Sequence, residues 1–299
     1  MRLKNGYVAL FLLFTVLSVY YPSLFIPINS VDDLKMINAI DNADGIGVLQ
    51  PFALGGSGYY YRPLVMASFI ADKYLWGFAP SFMHLENIIL HGVNVLLLYF
   101  IARRVSLGAY AEVKLPLALG APLLFALHPI NTEAVNWISG RTDLLAASFV
   151  LTSLLLLLGA LQSGGIFRAL VAALAMFIGA LAKETAIFFF PAALLMISFY
   201  DRVALGQVKA IAEHCRKRWH VYLSFFLSCG GYFLLRSFAF AKGDSGIGHA
   251  VKGVVGGDSR LFNNARVMLK AAGFYASKLV YPFPLNFGIV AVPDYCIIF

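Results

Sequence analysis

Asp32 and Asp33 stand side by side a few residues beyond a long apolar N-terminal stretch. Adjacent carboxylates repel, so such a pair persists where one is a base or where both meet a cation, a hydroxyl or a phosphate-bound metal. The alternative is two solvated acids, one of them capping a helix that starts at Leu34. The densest polar cluster is His128-Pro-Ile-Asn-Thr-Glu133-Ala-Val-Asn-Trp137-Ile-Ser-Gly-Arg141-Thr-Asp143. Glu133, Trp137 and Arg141 share a face if this loop is helical. Four titratable groups in so short a stretch point to a site; the alternative is a Glu–Arg brace with Trp at the membrane interface. Lys183 and Glu184 sit between two apolar runs. They either cap helix ends or, through Lys183, meet a lipid phosphate as a point charge. Arg62, after Tyr59-Tyr60-Tyr61, could do the same with a planar fork.

His84, Asn87, His91 and Asn94 are spaced by three, four and three residues, which places them on one helical face. His84, at the mouth of that helix, is the functional candidate. Asn87, His91 and Asn94 read as interhelical hydrogen bonding. No HExxH string occurs, so zinc hydrolysis has no support. Cys215, Cys229 and Cys296 are scattered without CxxC spacing and signal neither a zinc site nor a disulfide framework. No cofactor is certain, and a divalent metal at the acid pair stays open.

These groups need elements to hold them, and composition decides which. Of the 299 residues 60% are apolar or aromatic and only 13% are charged, with mean hydropathy +0.78. A soluble domain has about 25% charged residues, so an ordinary cytosolic enzyme, a disordered regulator and a nucleic-acid binder are excluded. The net charge of +8 then belongs to loops that set membrane orientation. A span needs about 20 mostly apolar residues. Tyr7–Ile28 reads as a retained anchor rather than a signal peptide, because its apolar run is too long and Tyr20-Tyr21-Pro22 cleaves poorly. Further spans are expected at Leu85–Ala102, Leu115–Leu127, Leu144–Leu161, Phe167–Leu181, Ala186–Phe199 and Trp219–Phe240. Val267–Val280 is short and is expected to be tilted or re-entrant.

With the N-terminus in the cytoplasm, the basic segments Met1–Gly6, Arg103–Lys114, Ser163–Arg168 and Asp201–Arg218 all fall on the cytoplasmic side. Asn29 to Met83, Pro129–Asp143, Lys183–Glu184 and Ala241–Arg266 then face outward. The expected architecture is an all-α integral membrane protein. It is a polytopic helix bundle forming one domain over residues 1–299, with a long first outer loop, 29–83, carrying short helices. The working face is expected to be the outer one, since loops carry function when a rigid scaffold positions them.

The strings Tyr61-Arg62-Pro63-Leu64, His84-Leu85-Glu86-Asn87 through His91, Phe125-Ala126-Leu127-His128-Pro129, Glu133 through Leu145 and Ala182-Lys183-Glu184 occur here in register. In this order they resemble the C-type (GT-C) membrane glycosyltransferases, nearest to transmembrane and tetratricopeptide-repeat O-mannosyltransferases and their bacterial relatives. The resemblance covers Asp32 to about Pro191. It implies that the acid pair supplies the catalytic Asp, and that the donor is a polyprenyl- or dolichyl-phosphate-linked sugar. It also implies reaction on the non-cytoplasmic face with inversion. The expected function is sugar transfer to an acceptor protein or glycan, in a multi-pass protein of the bacterial inner membrane. The chain departs from the family pattern at Asn131, where a second His is common. It shows no tetratricopeptide period and fewer spans than a full module, so it reads as incomplete or as a short relative. A lipid or sugar transporter is disfavoured because the charges gather at the mouth rather than the midplane. An inactive assembly subunit is the remaining alternative.

Overall fold

Residues 5–28, 30–42, 61–108, 114–163, 165–203, 207–240 and 258–283 are described by the computed structural model, and among them every regular element is helical. The Gly55–Tyr60 stretch, Ser245 and Cys296 lie outside these residues. The first helix, α1 (Asn5–Tyr20), tightens into a 3-10 turn over Tyr21–Phe25, where Pro22 sits in its first turn. Two short helices follow, α2 (Val31–Asp41) and α3 (Pro63–Trp76), as the first long loop was expected to carry. Then come α4 (Pro80–Gly108) and α5 (Lys114–Leu127). A broken stretch holds one α turn, α6 (Thr132–Asn136), between 3-10 turns at Pro129–Asn131 and Ile138–Gly140. The remaining elements are α7 (Arg141–Ser163), α8 (Ile166–Ala182), a 3-10 turn at Glu184–Phe188, α9 (Phe189–Tyr200), α10 (Val208–Phe240) and α11 (Asp258–Val280).

Among the described residues four helical stretches are long and apolar enough to cross a membrane: Asn5–Phe25, Pro80–Val105, Ile138–Gln162 and Val208–Ala239. Ala118–Leu127, Ile166–Ala182 and Glu184–Tyr200 are apolar but shorter. The chain is thus an all-α, multi-pass membrane protein. Two expectations change in detail. The polar connector before Trp219 is mostly helix, continuous with the span from Val208, and helical geometry breaks only at Arg218 (φ −108°, ψ 16°). Arg218 holds that break by donating through Nε and Nη2, both at 2.8 Å, to the Asp201 carboxylate. The segment 267–280 is the second half of the longer helix α11, whose charged residues keep it below the apolarity of a span.

Packing follows side-chain size. Along α8, Ala169, Ala172, Ala173 and Ala180 are buried together with Met176, and the row of alanines lets α7 and α10 approach closely. Ser153 of α7 and Ser228 of α10 donate at 2.7 and 2.8 Å to the Ala172 and Ala173 carbonyls. On the other side α4 packs against α1, α5 and α7, around Leu12, Val16, Val95 and Ala126. Because α4 and α5, and α7 and α8, run in alternating directions, the α2–α3 segment, the 128–140 stretch and the 183–188 turn meet at one end of the bundle.

Candidate active site

Helix α2 starts at Val31, with Ser30 at the N-cap position. Asp32 and Asp33 therefore both lie in its first turn, where acids favour the helix dipole. Their side chains diverge. Asp33 is buried, and its Oδ1 accepts from the Ser139 backbone N–H at 2.9 Å and from the Ser139 hydroxyl. Burial pushes the Asp33 carboxyl up, and the hydrogen bonds from Ser139 pull the other way. Asp32 points outward with its side chain 68% exposed, 3.9 Å from the Lys35 ammonium. The alternative in which one of the two acids caps a helix starting at Leu34 does not hold for Asp33. The cap position is three residues earlier, and the Asp33 carboxylate is spent across the structure on the turn before α7. Trp137 reinforces this docking, its Nε1 donating to Ser30 Oγ at 3.0 Å, while Ser23 donates to Asn136 Oδ1 at 2.6 Å.

Glu133, Trp137 and Arg141 do not share a helical face. The chain extends at Trp137 (φ −84°, ψ 124°) before a 3-10 turn, which leaves Glu133 exposed and carries Arg141 to the start of α7, aimed inward. Arg141 is 1% exposed, with Nη1 2.6 Å from Asp72 Oδ2 and Nη2 3.0 Å from Glu86 Oε2. It also donates to Asn87 Oδ1 at 3.3 Å and to the Met83 carbonyl at 3.3 Å. Its guanidinium lies 5.0 Å from the Phe69 ring centroid. Trp76 Nε1 donates to Glu86 Oε1 at 2.7 Å. Burial pushes the Asp72 carboxyl up to about 7; Arg141 opposes this and Glu86 adds to it. This brace ties α3, α4 and α7 together.

The other polar residues of α4 divide as expected for three of the four. Asn87 donates to the Trp137 carbonyl at 2.8 Å, Asn94 to the Leu144 carbonyl at 3.1 Å, and His91 Nε2 lies 3.4 Å from the Ala126 carbonyl. These satisfy carbonyls at the broken 128–140 stretch and its flanks. His84 is buried, and neither ring nitrogen has a hydrogen-bond partner among the described residues.

At the 183–184 corner Arg62 donates to both Glu184 oxygens, from Nε at 3.0 Å and Nη2 at 2.7 Å. Lys183 meets Asp143 at 2.6 Å. Burial raises the Glu184 carboxyl, yet Arg62's hydrogen bonds and the charges of Arg62 and Arg236 hold it below the ordinary range. His128 Nδ1 accepts from the Ile130 N–H at 3.2 Å, and its Nε2 donates to the Leu279 carbonyl at 3.1 Å, tying α11 to this end. The structure thus pairs Arg62 with Glu184 and Lys183 with Asp143, ties Asp33 to Ser139 and Arg141 to Asp72 and Glu86, buries His84, and leaves Glu133 and Asp32 exposed. Among the described residues no three His, Cys, Asp or Glu converge to hold a metal ion.

Sequence reasoning passed over Asp72, Ser139, Tyr232 and Arg236. Asp72 carried a signal, being an acid near the end of an otherwise apolar run from Pro63. Ser139 carried none, since only the fold sets it against Asp33.

No family model and no solved structure matches the chain. Among curated proteins it is 41% identical over 103 residues to the protein O-mannosyl-transferase TMTC4 of Homo sapiens, covering 32% of this chain and 14% of that one. It is 36% identical over 157 residues to TMTC1 of Homo sapiens, covering 49% and 17%. It is 31% identical over 221 residues to Tmtc1 of Drosophila melanogaster, covering 67% and 24%. The matched stretch is thus no more than about a quarter of those relatives' length. A multi-pass helical bundle with these similarities is a membrane protein that resembles the O-mannosyl-transferases of the TMTC type.

Proposed function

We propose that this chain is a membrane glycosyltransferase of the GT-C type. It moves a sugar from a polyprenyl-phosphate-linked donor to an acceptor protein or glycan on the non-cytoplasmic face. The observation that carries this reading is the meeting of the acid pair, the Arg62–Glu184 corner and the Asp143–Lys183 pair at one end of the bundle. It supports a reading in which a base and a group of cations serve the same mouth. Asp32, exposed and diverging from Asp33, takes the proton of the acceptor hydroxyl. The acceptor oxygen bonds to the anomeric carbon from the side opposite the lipid phosphate. The bond from that carbon to the phosphate oxygen breaks, and its electron pair leaves with the phosphate. Arg62 and Lys183, held in place by Glu184 and Asp143, stabilise the departing charge. Asp33 positions the acid turn through Ser139, and Arg141 positions the brace beneath it. His128 and Glu133 complete the lining, and buried His84 supports it from within. The basic segments of the opposite end support an N-terminus in the cytoplasm, in a bacterial inner membrane, with residues 1–299 acting as a single polytopic domain.

The test incubates membranes containing the chain with radiolabelled polyprenyl-phosphate sugars and follows label into acceptors. Asp32→Asn keeps size but removes basicity. It should cost roughly 10²–10⁴-fold in transfer with normal membrane insertion. Asp33→Asn should retain most transfer while loosening the 138–140 turn. Wild-type transfer in both variants would remove the base assignment. No labelled acceptor with the unaltered chain would favour the inactive-subunit reading instead.

A further inference from the structure

At the end of the bundle opposite the candidate site, α10 is two helices meeting at a kink. Helices α7 and α9 both leave the mouth, at Arg141 and Phe189, and finish at this far end, at Ser163 and Tyr200. Arg218, the kink residue, reaches both ends. Its Nη2 donates to the Leu161 carbonyl in the last turn of α7 at 3.4 Å. It also grips both carboxylate oxygens of Asp201, the residue after α9. Asp201 Oδ2 lies 3.4 Å from His214 Nδ1, one turn before the kink. His214 Nε2 in turn lies 2.7 Å from the Tyr222 hydroxyl, one turn after it. The bend is therefore held from both sides.

Length puts the kink at the membrane boundary. The Val208–Ala239 stretch has 32 residues and as one straight helix would measure about 48 Å, against about 30 Å of hydrocarbon. Trp219 to Ala239 alone measures about 31 Å. Trp219, 57% exposed, is then the aromatic anchor at the interface, and Val208–Lys217 lies beyond it. This arm is amphipathic. Val208, Ala212 and Cys215 are exposed and line up with Trp219 at helical spacing. Lys209 and Arg216, also exposed, form a row beside that stripe, with exposed Lys217 further round. Glu213 is the one exposed acid of the arm. A basic amphipathic helix next to a span fits the plane of an anionic membrane surface, apolar stripe inward and cations among the headgroups. We propose that Val208–Lys217 is an interfacial arm, turned at Arg218 onto the membrane surface, where Lys209, Arg216 and Lys217 bind anionic lipid headgroups. In the orientation proposed above, that surface is the cytoplasmic one.

The test places a polarity-sensitive fluorophore on Cys215 of the full chain, in a Cys229→Ala, Cys296→Ala background. The chain is reconstituted into vesicles of phosphatidylcholine, alone or mixed with phosphatidylglycerol. In the mixed vesicles, lipids carrying a nitroxide near the headgroup should quench the label and the neutral aqueous quencher acrylamide should not. In phosphatidylcholine alone acrylamide should reach it, and high salt should restore that access in the mixed vesicles by screening. Lys209→Gln and Arg216→Gln should each move the balance of docked and exposed arm about fivefold towards water, the weight of one basic residue near an anionic surface. Asp201→Asn should lower the protection with all three cations intact. Ready acrylamide access in both kinds of vesicle means that the arm runs on into water and overturns the proposal. Equal protection in phosphatidylcholine alone, or protection that survives removal of both charges, assigns the arm to apolar burial or a protein contact and overturns the headgroup assignment. Unchanged protection in Asp201→Asn overturns the part given to the kink.

Discussion

Replacing Asp72 by Asn should leave the bundle nearly as stable as before, whereas replacing Arg141 by Met should come close to unfolding it. The Asp72 carboxyl is pushed up to about 7 by burial, so at pH 6 it is largely a neutral acid. Asn has the same size, and its amide oxygen can still accept from Arg141 Nη1, now 2.6 Å from Oδ2. Its amide nitrogen replaces Oδ1, which has no partner among the described residues. The expected cost is about 1 kcal/mol, that of weakening one neutral hydrogen bond. Arg141→Met removes the cation between Asp72 and Glu86 and strands the Asn87 and Met83 acceptors. Removing Arg141 leaves the Glu86 carboxylate and the buried acceptors around it without their cation, which costs about 3–5 kcal/mol. At roughly 2–4 °C per kcal/mol for a chain of this size, the apparent melting temperature should fall by roughly 6–20 °C. Tryptophan fluorescence of the purified chain reports it directly, since Trp76 donates to Glu86.

The pH dependence carries the sign. The folded value near 7 lies above the value of about 3.9 for an unfolded Asp. Between the two, the folded state holds a proton that the unfolded state has lost. The stabilising contribution is complete below about pH 4 and is lost as pH rises towards about 7. Asp72→Asn should flatten this slope. Equal damage from both substitutions, or an unchanged slope in Asp72→Asn, would refute the idea that Asp72 is held as a neutral acid.

Gly140→Ala should destabilise the site end, because the added Cβ would lie 2.5 Å from the Ala134 carbonyl oxygen and 3.0 Å from two further backbone atoms. A cost of about 1–3 kcal/mol is expected from such overpacking, and a wild-type melting temperature would contradict the packing described here. A reporter that fluoresces only in the cytoplasm should light up when fused after Arg104 or Arg218 and stay dark after Ser57 or Ser245. A bright signal at Ser57 would invert the proposed orientation.

The helical, membrane-spanning character was legible from residue type alone, because a run of apolar side chains in lipid must satisfy its backbone internally and only a helix does so within one segment. The polar row of α4 was legible for the same reason, since helical spacing places Asn87, His91 and Asn94 on one face whatever surrounds them. The acid pair, Arg62, Lys183 and Glu184 stood out because charges are rare in so apolar a chain. What periodicity could not reach was pairing. Arg141 was matched to Glu133 by assuming one continuous helix, and the extended backbone at Trp137 breaks that assumption. Its partners, Asp72 and Glu86, lie 69 and 55 positions earlier in the chain. One of the two acids could have been a cap on local grounds, yet Ser139, more than a hundred residues away, holds the Asp33 carboxylate. Tyr232 shows no local signal, because its place beside Ala182 and Ala186 arises only where α10 packs on the small residues of α8. Local chemistry determines which segments enter the membrane and which residues are able to ionise. Long-range packing alone decides which charges meet, and hence which are braces and which remain open to a substrate.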